Sequence, residues 1–345
     1  MATETPALDT PVAGPPSIRS VASRAGVSVA TVSRVLNGSP AVIAETREHV
    51  QRVIAELGYE PNRLASNLRS SASGLLLVTV PSLHNPFYGR VVEGLAAVVQ
   101  EQGYHMLLCE TSRDALTDPN HLRLIQRRQV EGAICLDPVT VHRAIAEEMH
   151  ELPWLALCEY DRHMGVPFVG IDNVRAAQDV VAHLAGRGHK RIAMLGYDPR
   201  FMFARQRQEG FERGLADAGL SAPRALRVTV PGMDFDDGAQ ALARLWALPA
   251  KQRPTALFAV SDTLAIGALR QAREMGLAVP GDIAIVGFDD IDFAAQTGPP
   301  LTTVRQPAAD MGREAAWRLI RRLRGETHRI DSLTLEHQLV IRAST

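Results

Sequence analysis

One short stretch near the amino terminus combines side chains that can read the edges of DNA bases. A helix expected over residues 29–36 buries Val32, Val35 and Leu36, because these apolar residues recur at helical spacing. The opposite face carries Val29, Ala30, Thr31, Ser33 and Arg34. Arginine can donate two hydrogen bonds to a guanine edge, small apolar side chains fit a thymine methyl group, and hydroxyls reach phosphates or bases. This composition predicts contact with the major groove of DNA.

A second helix and a tight turn precede this stretch and would position it. Ser17 can cap a helix that ends at Gly26, where a left-handed residue is needed, and Ser28 can cap the next helix. The first helix has its apolar face at Ile18, Val21, Ala22 and Ala25. Spacing of this kind places the second helix in a major groove. A small helical bundle with a solvated face is the alternative, but the pattern covers all of residues 17–36, which favours DNA binding.

The charge of the chain points to a nucleic-acid surface at one end only. The 345 residues contain 37 basic and 38 acidic side chains, a formal net charge of −1, which excludes a general polyanion binder. Residues 17–70 contain seven arginines and four glutamates, a local charge of +3. Phosphate attraction should therefore be confined to this segment and should weaken steeply as salt rises.

Two further helical segments follow the predicted recognition helix. A helix is expected over residues 44–57, and Gly58 can end it. Its apolar face contains Val50, Val53, Ile54 and Leu57. Residues 62–69 could form only about two helical turns, which are too few to be stable alone in water. Such a segment can order when something holds it, so it is a candidate switch.

From Gly74 onward, short apolar strands alternate with amphipathic helices, which is typical of parallel sheets covered by helices on both faces. The strands are expected over residues 75–80, 104–109, 133–136 and 154–157, and then over 191–195, 226–230, 256–260 and 283–288. Four units followed by four more predict an α/β core of two similar lobes, each a doubly wound parallel sheet as in periplasmic binding proteins. The cleft between two such lobes is the natural ligand site.

The segment after Pro300 is too short for a third lobe. A strand at 301–305, a helix at 307–324 and strands at 330–335 and 338–342 are expected to complete the first lobe and then touch the second. The predicted organisation is a disordered tail over 1–16, an all-α helix-turn-helix headpiece over 17–60, a hinge helix and linker over 61–73, and a two-lobed effector-binding and dimerisation domain over 74–345. Lobe 1 is expected over about 74–172 and 303–336, and lobe 2 over about 173–302 and 337–345.

Membrane and secreted proteins are disfavoured by the sequence. No apolar run reaches the ~18 residues of a membrane span, and residues 1–16 lack the charged start and apolar stretch of a signal peptide. Cys109, Cys135 and Cys158 lie in apolar runs without C-x-x-C spacing, which predicts buried free thiols and a reducing, cytoplasmic setting.

Enzymatic and transport functions are also disfavoured. No strand is followed by a phosphate-binding glycine motif, and the eleven histidines form no metal-like cluster. The aspartates at 289, 290 and 292 are better explained by a turn than by a metal site. No catalytic residue, metal or cofactor is therefore predicted. A solute-binding protein for transport shares the two-lobed organisation, but it would need a signal peptide and has no use for residues 17–57.

Seven motifs are distributed over nearly the whole chain. They are SVASRAGVSVATVSRVLN at 20–37, GYEPNRLA at 58–65, NPFY at 85–88, GHKRIAMLG at 188–196, SDTLAIGA at 261–268, VGFDD at 286–290 and PPLTTVRQ at 299–306. Together they resemble the motifs of LacI/GalR-type transcriptional repressors. Within that family the chain is most similar to the cytidine-repressor type, through GIDN at 170–173, SD at 261–262 and IRAST at 341–345. The resemblance implies a sequence-specific DNA-binding repressor whose operator affinity is controlled by a small-molecule effector, a nucleoside or a sugar.

The resemblance assigns DNA contacts to the headpiece and to the segment after it. Val29, Ala30 and Arg34 take base-reading positions, residues 62–69 correspond to the hinge helix, and Leu68 corresponds to a leucine wedged into the minor groove to bend the duplex. Two hinge helices must pair to do this, so a homodimer on a pseudo-palindromic operator is implied. The full implied set is Ser17, Ser28, Val29, Ala30, Thr31, Ser33, Arg34, Asn37, Asn62, Arg63, Ala65 and Leu68.

The resemblance also implies an effector site in the cleft. Its implied residues are Asn85, Phe87, Tyr88, Arg207, Ser261, Asp289 and Gln306. An aromatic face can stack on a ring, while arginine, aspartate and glutamine can pair with sugar hydroxyls. Hydrogen bonding within a hinge turn is an equal alternative for Asp289 and Gln306, and core packing is a nearly equal one for Phe87 and Tyr88.

Three positions depart from the family pattern. Ile43 stands where a serine or threonine usually caps the third helix, so that helix should lose on the order of 1 kcal/mol of stability. Ser20 replaces a common acidic residue, which slightly favours the approach of a phosphate. Ser261 stands where many members carry asparagine, which argues against assuming a common hexose as the effector.

Overall fold

The structure, a computed structural model, divides into two compact units, Met1–Ser73 and Gly74–Thr345. It describes residues 16–36, 39–59, 73–111, 129–137, 152–160, 165–221 and 223–345. The predicted hinge helix lies outside the described residues, and so do the predicted contacts Asn37, Asn62, Arg63, Ala65 and Leu68.

The described part of the amino-terminal unit folds into three helices, α1 (Ile18–Ala25), α2 (Val29–Leu36) and α3 (Ala44–Leu57). Their core centres on three fully buried valines, one from each helix: Val21, Val32 and Val50. The branched side chains pack at the crossing of the helices because each lies on the apolar stripe that its helix presents inward.

Serine side chains begin the first two helices, as predicted. The Ser20 N–H donates to Ser17 Oγ at 3.2 Å, and the Ser17 N–H donates to Ser20 Oγ at 2.7 Å, so the two residues cap α1 reciprocally. Gly26 ends α1 with a φ of 68°. Ser28 Oγ then accepts from the Thr31 N–H at 3.1 Å at the start of α2. Ser20 therefore stabilises the helix start, a role that the sequence analysis did not give it.

The start of α3 lacks such a cap. Ile43 occupies the capping position without any side-chain hydrogen bond, and it is 70% exposed. The prediction that this residue cannot cap is confirmed. Gly58, with a φ of 59°, ends the helix as predicted.

The first sheet of the carboxy-terminal unit consists of parallel strands. They are β1 (Leu75–Val80), β2 (His105–Glu110), β3 (Gly132–Cys135), β4 (Trp154–Leu157), β5 (Phe168–Ile171) and β11 (Leu333–Leu335). Their order across the sheet is β11-β5-β4-β3-β1-β2. The sequence analysis did not include β5, which has only four residues and contains Gly170, so its apolar run is weak.

The second sheet repeats this arrangement. Its strands are β6 (Ile192–Gly196), β7 (Arg227–Thr229), β8 (Ala256–Ala259), β9 (Ala284–Asp289), β10 (Thr302–Arg305) and β12 (Gln338–Val340). Their order is β12-β10-β9-β8-β6-β7, and only β12 is antiparallel to its neighbour. Every residue of β8 and β9 is buried, as expected for strands covered on both faces. The predicted two-lobed α/β class is thus confirmed.

Helices connect the strands on both faces of the sheets. They are α4 (Pro86–Glu101), α5 (Asn173–Gly186), α6 (Met202–Asp217), α7 (Phe235–Trp246), α8 (Asp262–Glu274) and α9 (Ala308–Leu323). Short 3-10 turns lie at Arg224–Leu226, Ala250–Gln252 and Asp292–Gln296. None of the described helices combines the length and the apolar content needed to cross a membrane.

The last segment of the chain crosses between the two lobes, at a point later than predicted. Strand β10 pairs with β9 in the second sheet, so residues 303–305 do not belong to lobe 1. Helix α9 then packs against α4, so closely that a Cβ atom at Gly94 would collide with the backbone of Ala309. Strand β11 completes the first sheet, and β12 returns to the second. The lobes are therefore joined by several chain crossings.

Candidate DNA-reading face and effector cavity

Helix α2 directs Ala30 and Arg34 of its predicted DNA-reading face away from the headpiece core, whereas Val29 packs partly against that core. Ala30 and Arg34 are exposed, while Val29, Thr31 and Ser33 are half-buried. Ser17 and Ser28, at the starts of the two helices, are also exposed.

The hydroxyl groups on this face are partly engaged within the headpiece. Ser28 Oγ and Thr31 Oγ1 lie 2.9 Å apart, so each can donate to the other. Arg34 remains the long cationic side chain on this face of α2, with a planar group that suits a guanine edge.

A cavity lies between the lobes, at the carboxyl ends of the parallel strands. It is lined by Asn85, Phe87, Tyr88, Cys158, Glu159, Phe203, Arg207, Met233, Asp289 and Gln306. Six of the seven predicted effector residues are therefore brought together, although the chain separates the first and last of them by more than 200 positions.

A buried polar cluster forms the second-lobe side of this cavity. Gln306 Nε2 donates to Asp289 Oδ1 at 2.7 Å, and Arg207 Nη1 lies 3.8 Å from the same oxygen. Burial raises the pKa of Asp289 to about 6, although the guanidinium of Arg207 opposes the shift. Asp289 also has a φ of 122°, a strained conformation for a side-chain-bearing residue. Asp289 therefore makes a hydrogen bond within the hinge turn and also lines the cavity. A role in the hinge turn does not exclude the predicted contact with an effector.

Arg207 is only 5% exposed, and several partners hold its guanidinium in place. Its Nε donates to Asn173 Oδ1 at 2.9 Å, and its Nη1 donates to Val260 O at 2.5 Å. The guanidinium carbon lies 3.5 Å from the ring centroid of Phe288. Burial lowers the pKa of Arg207, while Asp289 favours its charged form. The result is a rigid donor group at the wall of the cavity.

Aromatic side chains form the opposite side. Phe87 and Tyr88 are buried, with ring centroids 5.3 Å apart in an edge-to-face arrangement. Both belong to the hydrophobic core and also line the cavity. Asn85 begins α4 by accepting the Phe87 N–H at 3.0 Å, which fixes the turn that carries these rings.

Ser261 is the predicted effector residue that does not line the cavity. Its side chain is fully buried, and its Oγ accepts the Leu264 N–H at 3.3 Å at the start of α8. Its Oγ also lies 2.9 Å from Thr263 Oγ1. The hydroxyl is directed into the first turn of the helix, because a serine at this position caps it. A ligand contact at Ser261 stays a prediction.

Four cavity residues were missed by the sequence analysis: Cys158, Glu159, Phe203 and Met233. Glu159 stands out among them because it is an ionisable residue that is only 3% exposed. Its Oε2 accepts the Met202 N–H at 3.2 Å, while its Oε1 has no hydrogen-bond partner among the described residues. Burial, and secondarily Asp137, raise its pKa to about 8. Its place two residues after β4 was the available signal, since such positions meet at the ligand edge of a sheet.

The other chemistry predicted for the chain concerns cysteines and metals. Cys109, Cys135 and Cys158 are buried, as expected, and none of them is joined in a disulfide. The described residues include no group of three or more His, Cys, Asp or Glu side chains arranged to hold a metal ion.

A helix-turn-helix unit and a two-lobed core with a cavity between its lobes define a ligand-controlled DNA-binding protein. Two family descriptions match the chain: bacterial regulatory proteins of the lacI family over residues 17–62, and the periplasmic binding protein-like domain over residues 181–345.

Individual relatives match over nearly the full length. The HTH-type transcriptional repressor CytR of Escherichia coli (strain K12) is 33% identical over 95% of this chain and 96% of its own. The ribose operon repressor of Haemophilus influenzae is 29% identical over 95% of this chain and 98% of its own. The lac repressor dimer bound to operator and the anti-inducer ONPF has a TM-score of 0.84 at 28% identity, covering 96% of this chain and 99% of that chain.

The chain belongs to the LacI family of bacterial regulatory proteins. It is a DNA-binding transcriptional repressor under small-molecule control, and its relatives named above are transcriptional regulators rather than enzymes. The alternative of a transport solute-binding protein has no support, because the lacI-family match covers the three amino-terminal helices.

Proposed function

We propose that the protein is a homodimeric cytoplasmic repressor, without enzymatic activity, that binds a pseudo-palindromic operator and takes a ribose-containing nucleoside as its effector. The observation that carries the effector proposal is the juxtaposition, in one cavity, of aromatic rings with the Arg207–Asp289–Gln306 cluster. A simple sugar is the second candidate, because the same cluster can bind sugar hydroxyls.

The DNA contact is proposed for the face of α2. Arg34 would donate to a guanine edge, and Val29 and Ala30 would meet the floor of the major groove. Ser17 and Ser28, at helix starts where backbone N–H groups point outward, suit phosphate contacts. Two such headpieces related by two-fold symmetry require an operator with matching symmetry.

The effector contact is proposed for both walls of the cavity. The rings of Phe87 and Tyr88 offer an apolar side for a base, while Arg207, Asp289 and Gln306 offer donors and acceptors for ribose hydroxyls. The base of a nucleoside would pack against the aromatic rings, whereas a simple sugar would contact less of their surface.

Control of DNA binding follows from the position of the cavity between the lobes. A ligand that contacts both lobes favours one angle between them, and the two lobe angles would differ in how well they support the hinge segments on DNA. The coupling is reciprocal, so operator DNA must change effector affinity by the same factor as the effector changes operator affinity.

The test begins with selection of duplexes from a random library by the purified full-length protein. Thermal-shift screening then compares nucleosides with sugars, because a ligand that binds only the folded state raises the unfolding midpoint. We expect a palindromic consensus, a shift with nucleosides, and equal reciprocal factors in fluorescence anisotropy and calorimetry. Failure to retain any palindromic duplex at low salt, with and without these ligands, would contradict the DNA proposal. An effector affinity that is unchanged by saturating operator would contradict the coupling.

A further inference from the structure

Asp262 is a fully buried acidic residue that does not line the cavity. It is the first residue of α8, but Ser261 already caps that helix by accepting the Leu264 N–H. Burial of a carboxyl group costs free energy unless polar partners compensate for the lost water. The partners of Asp262 therefore indicate what this residue does.

Both carboxyl oxygens of Asp262 bind segments that are distant in the sequence. Its Oδ2 accepts the Ile291 N–H at 2.9 Å, and its Oδ1 accepts the Thr303 hydroxyl on β10 at 2.6 Å. Strand β9 leaves room for this carboxyl group at Gly287, where a Cβ atom would collide with Asp262 Oδ1. The carboxyl group thus links the start of α8 to the turn at 289–291 and to the neighbouring strand.

The turn at 289–291 has a strained backbone. Asp289 has a φ of 122° and Asp290 a φ of 54°, and both values lie in the region that favours glycine. Two consecutive residues keep such a conformation only where the surrounding structure holds them in it. Two arginines hold the Asp290 carboxylate, each at 2.6 Å, and Asp262 holds the main chain directly after it.

The hydrogen bonds of Asp262 do not depend on its protonation state. Burial, and then the nearby Asp289, raise the pKa of Asp262 to about 7, so both forms are populated near neutral pH. In either form one oxygen can accept the Ile291 N–H, while the other shares a hydrogen with the Thr303 hydroxyl. A neutral side chain that offers the same pair of groups should therefore replace Asp262.

We propose that Asp262 is a positioning residue of the effector site, which holds the turn at 289–291 in the strained conformation that directs the Asp289 carboxylate into the cavity. Asp262 itself does not touch the effector. This inference rests on the proposed function, because Asp289 acts on an effector only if the cavity binds one. A purely structural residue would instead stabilise the lobe without changing ligand binding by the folded protein.

The first measurement compares Asp262→Ala with Asp262→Asn and needs no ligand. Alanine removes both hydrogen bonds, whereas the asparagine amide can accept the Ile291 N–H and donate to Thr303 Oγ1. Hydrogen exchange of the full-length protein, followed by mass spectrometry of peptides that cover 289–291, reports the opening of the turn. We expect exchange to be faster by ~10-fold or more in Asp262→Ala, the effect of losing roughly one hydrogen bond to a charged group, and to stay near the wild-type rate in Asp262→Asn.

The second measurement is ligand binding by isothermal titration. The wild type is titrated with cytidine, uridine, adenosine, guanosine and free ribose, and each probe that binds is then titrated into the variants. Asp262→Ala should bind the probe more weakly by ~10-fold or more, because Asp289 loses its alignment with the ligand. Asp262→Asn should bind nearly as tightly as the wild type.

The matched control is Leu242→Ala in the same lobe. Leu242 is fully buried in α7 and does not line the cavity, so its truncation lowers the unfolding midpoint and leaves probe affinity unchanged. If Asp262→Ala does not fold, Thr303→Val takes its place. It keeps the shape of that side chain, removes only the bond to Asp262 Oδ1, and should move both measurements in the same direction by a smaller factor.

The outcomes separate this inference from the proposed function. Wild-type exchange of the turn or wild-type probe affinity in folded Asp262→Ala overturns the positioning role, and so does an equal loss of affinity in Asp262→Asn. Each of these results leaves the nucleoside effector standing. Absence of binding by all five probes to the wild type overturns the nucleoside effector and the role of Asp262 toward it, while the exchange measurement still decides whether Asp262 holds the turn.

Discussion

The amino-terminal headpiece and the carboxy-terminal core build their functional surfaces in opposite ways. In the headpiece, the proposed reading face occupies one turn-and-helix segment, residues 28–36, and its side chains follow from helical spacing alone. In the core, the ten cavity residues come from separate segments between Asn85 and Gln306, and only the assembled sheets bring them together. A DNA-reading helix can therefore be recognised locally, whereas ligand specificity depends on the tertiary structure.

The largest expected effect tests the core side of this contrast. Replacing Arg207 by alanine leaves Asp289 buried without its cationic neighbour, and breaking a buried charge pair typically costs about 3–5 kcal/mol. We expect effector binding, measured by calorimetry, to be lost, while selected operator DNA is still bound in anisotropy measurements. The control is Arg213→Ala, on the exposed side of the same helix. An equal loss of effector binding in both variants, or effector binding retained in Arg207→Ala, would contradict the proposed role of Arg207 in the effector site.

The next effect tests the headpiece side. Arg34→Ala should reduce discrimination between the selected operator and a base-substituted duplex by about 1–3 kcal/mol, the contribution of one bidentate base contact. Effector affinity should not change. Arg34→Lys retains the charge without the planar fork, so it should lose discrimination while keeping the salt dependence of binding. Full discrimination in either variant would show that Arg34 does not read bases.

The same contrast explains how much could be predicted from the sequence. The caps at Ser17 and Ser28 and the turn at Gly26 were predictable because each depends on residues within one helical turn. The alternation of strands and helices likewise gave the two lobes, since buried parallel strands are continuous apolar runs. Strand β5 was not predicted because a run of four residues that includes a glycine is too short a signal of a buried apolar strand.

The details of the cavity required the assembled structure. The sequence did not show that the hydroxyl of Ser261 caps α8. Glu159 was missed because nothing local shows that one of its oxygens caps a helix of the other lobe while the second stays unpaired. The membership of β10 in the second sheet depends on its pairing with β9, which the sequence of the segment does not encode locally.

A smaller effect concerns the core and is the dependence of its unfolding free energy on pH through the buried Glu159. Burial raises the pKa of Glu159 from 4.5 to about 8, so the folded core keeps a proton that the unfolded chain releases. The stabilising contribution is complete below the unfolded value and is lost as pH rises toward about 8. Between about pH 6 and about pH 7, the wild type should lose about 1 kcal/mol more unfolding free energy than Glu159→Gln, in denaturant titrations. Repeating the titrations at high salt separates this buried group from surface charges, and parallel pH profiles would contradict the prediction.

The smallest effect concerns the uncapped start of α3 in the headpiece. Ile43→Thr supplies a hydroxyl that can accept a free N–H in the first turn, while the lost isoleucine is 70% exposed and contributes little burial. We expect the amides of α3 to gain about 1 kcal/mol of protection in hydrogen exchange on the full-length protein. Ile43→Ala, which removes the same exposed side chain without adding an acceptor, should bring no such gain. Equal protection in the two variants would mean that the missing cap does not limit this helix, and that the headpiece is less governed by local sequence than its other two helix starts indicate.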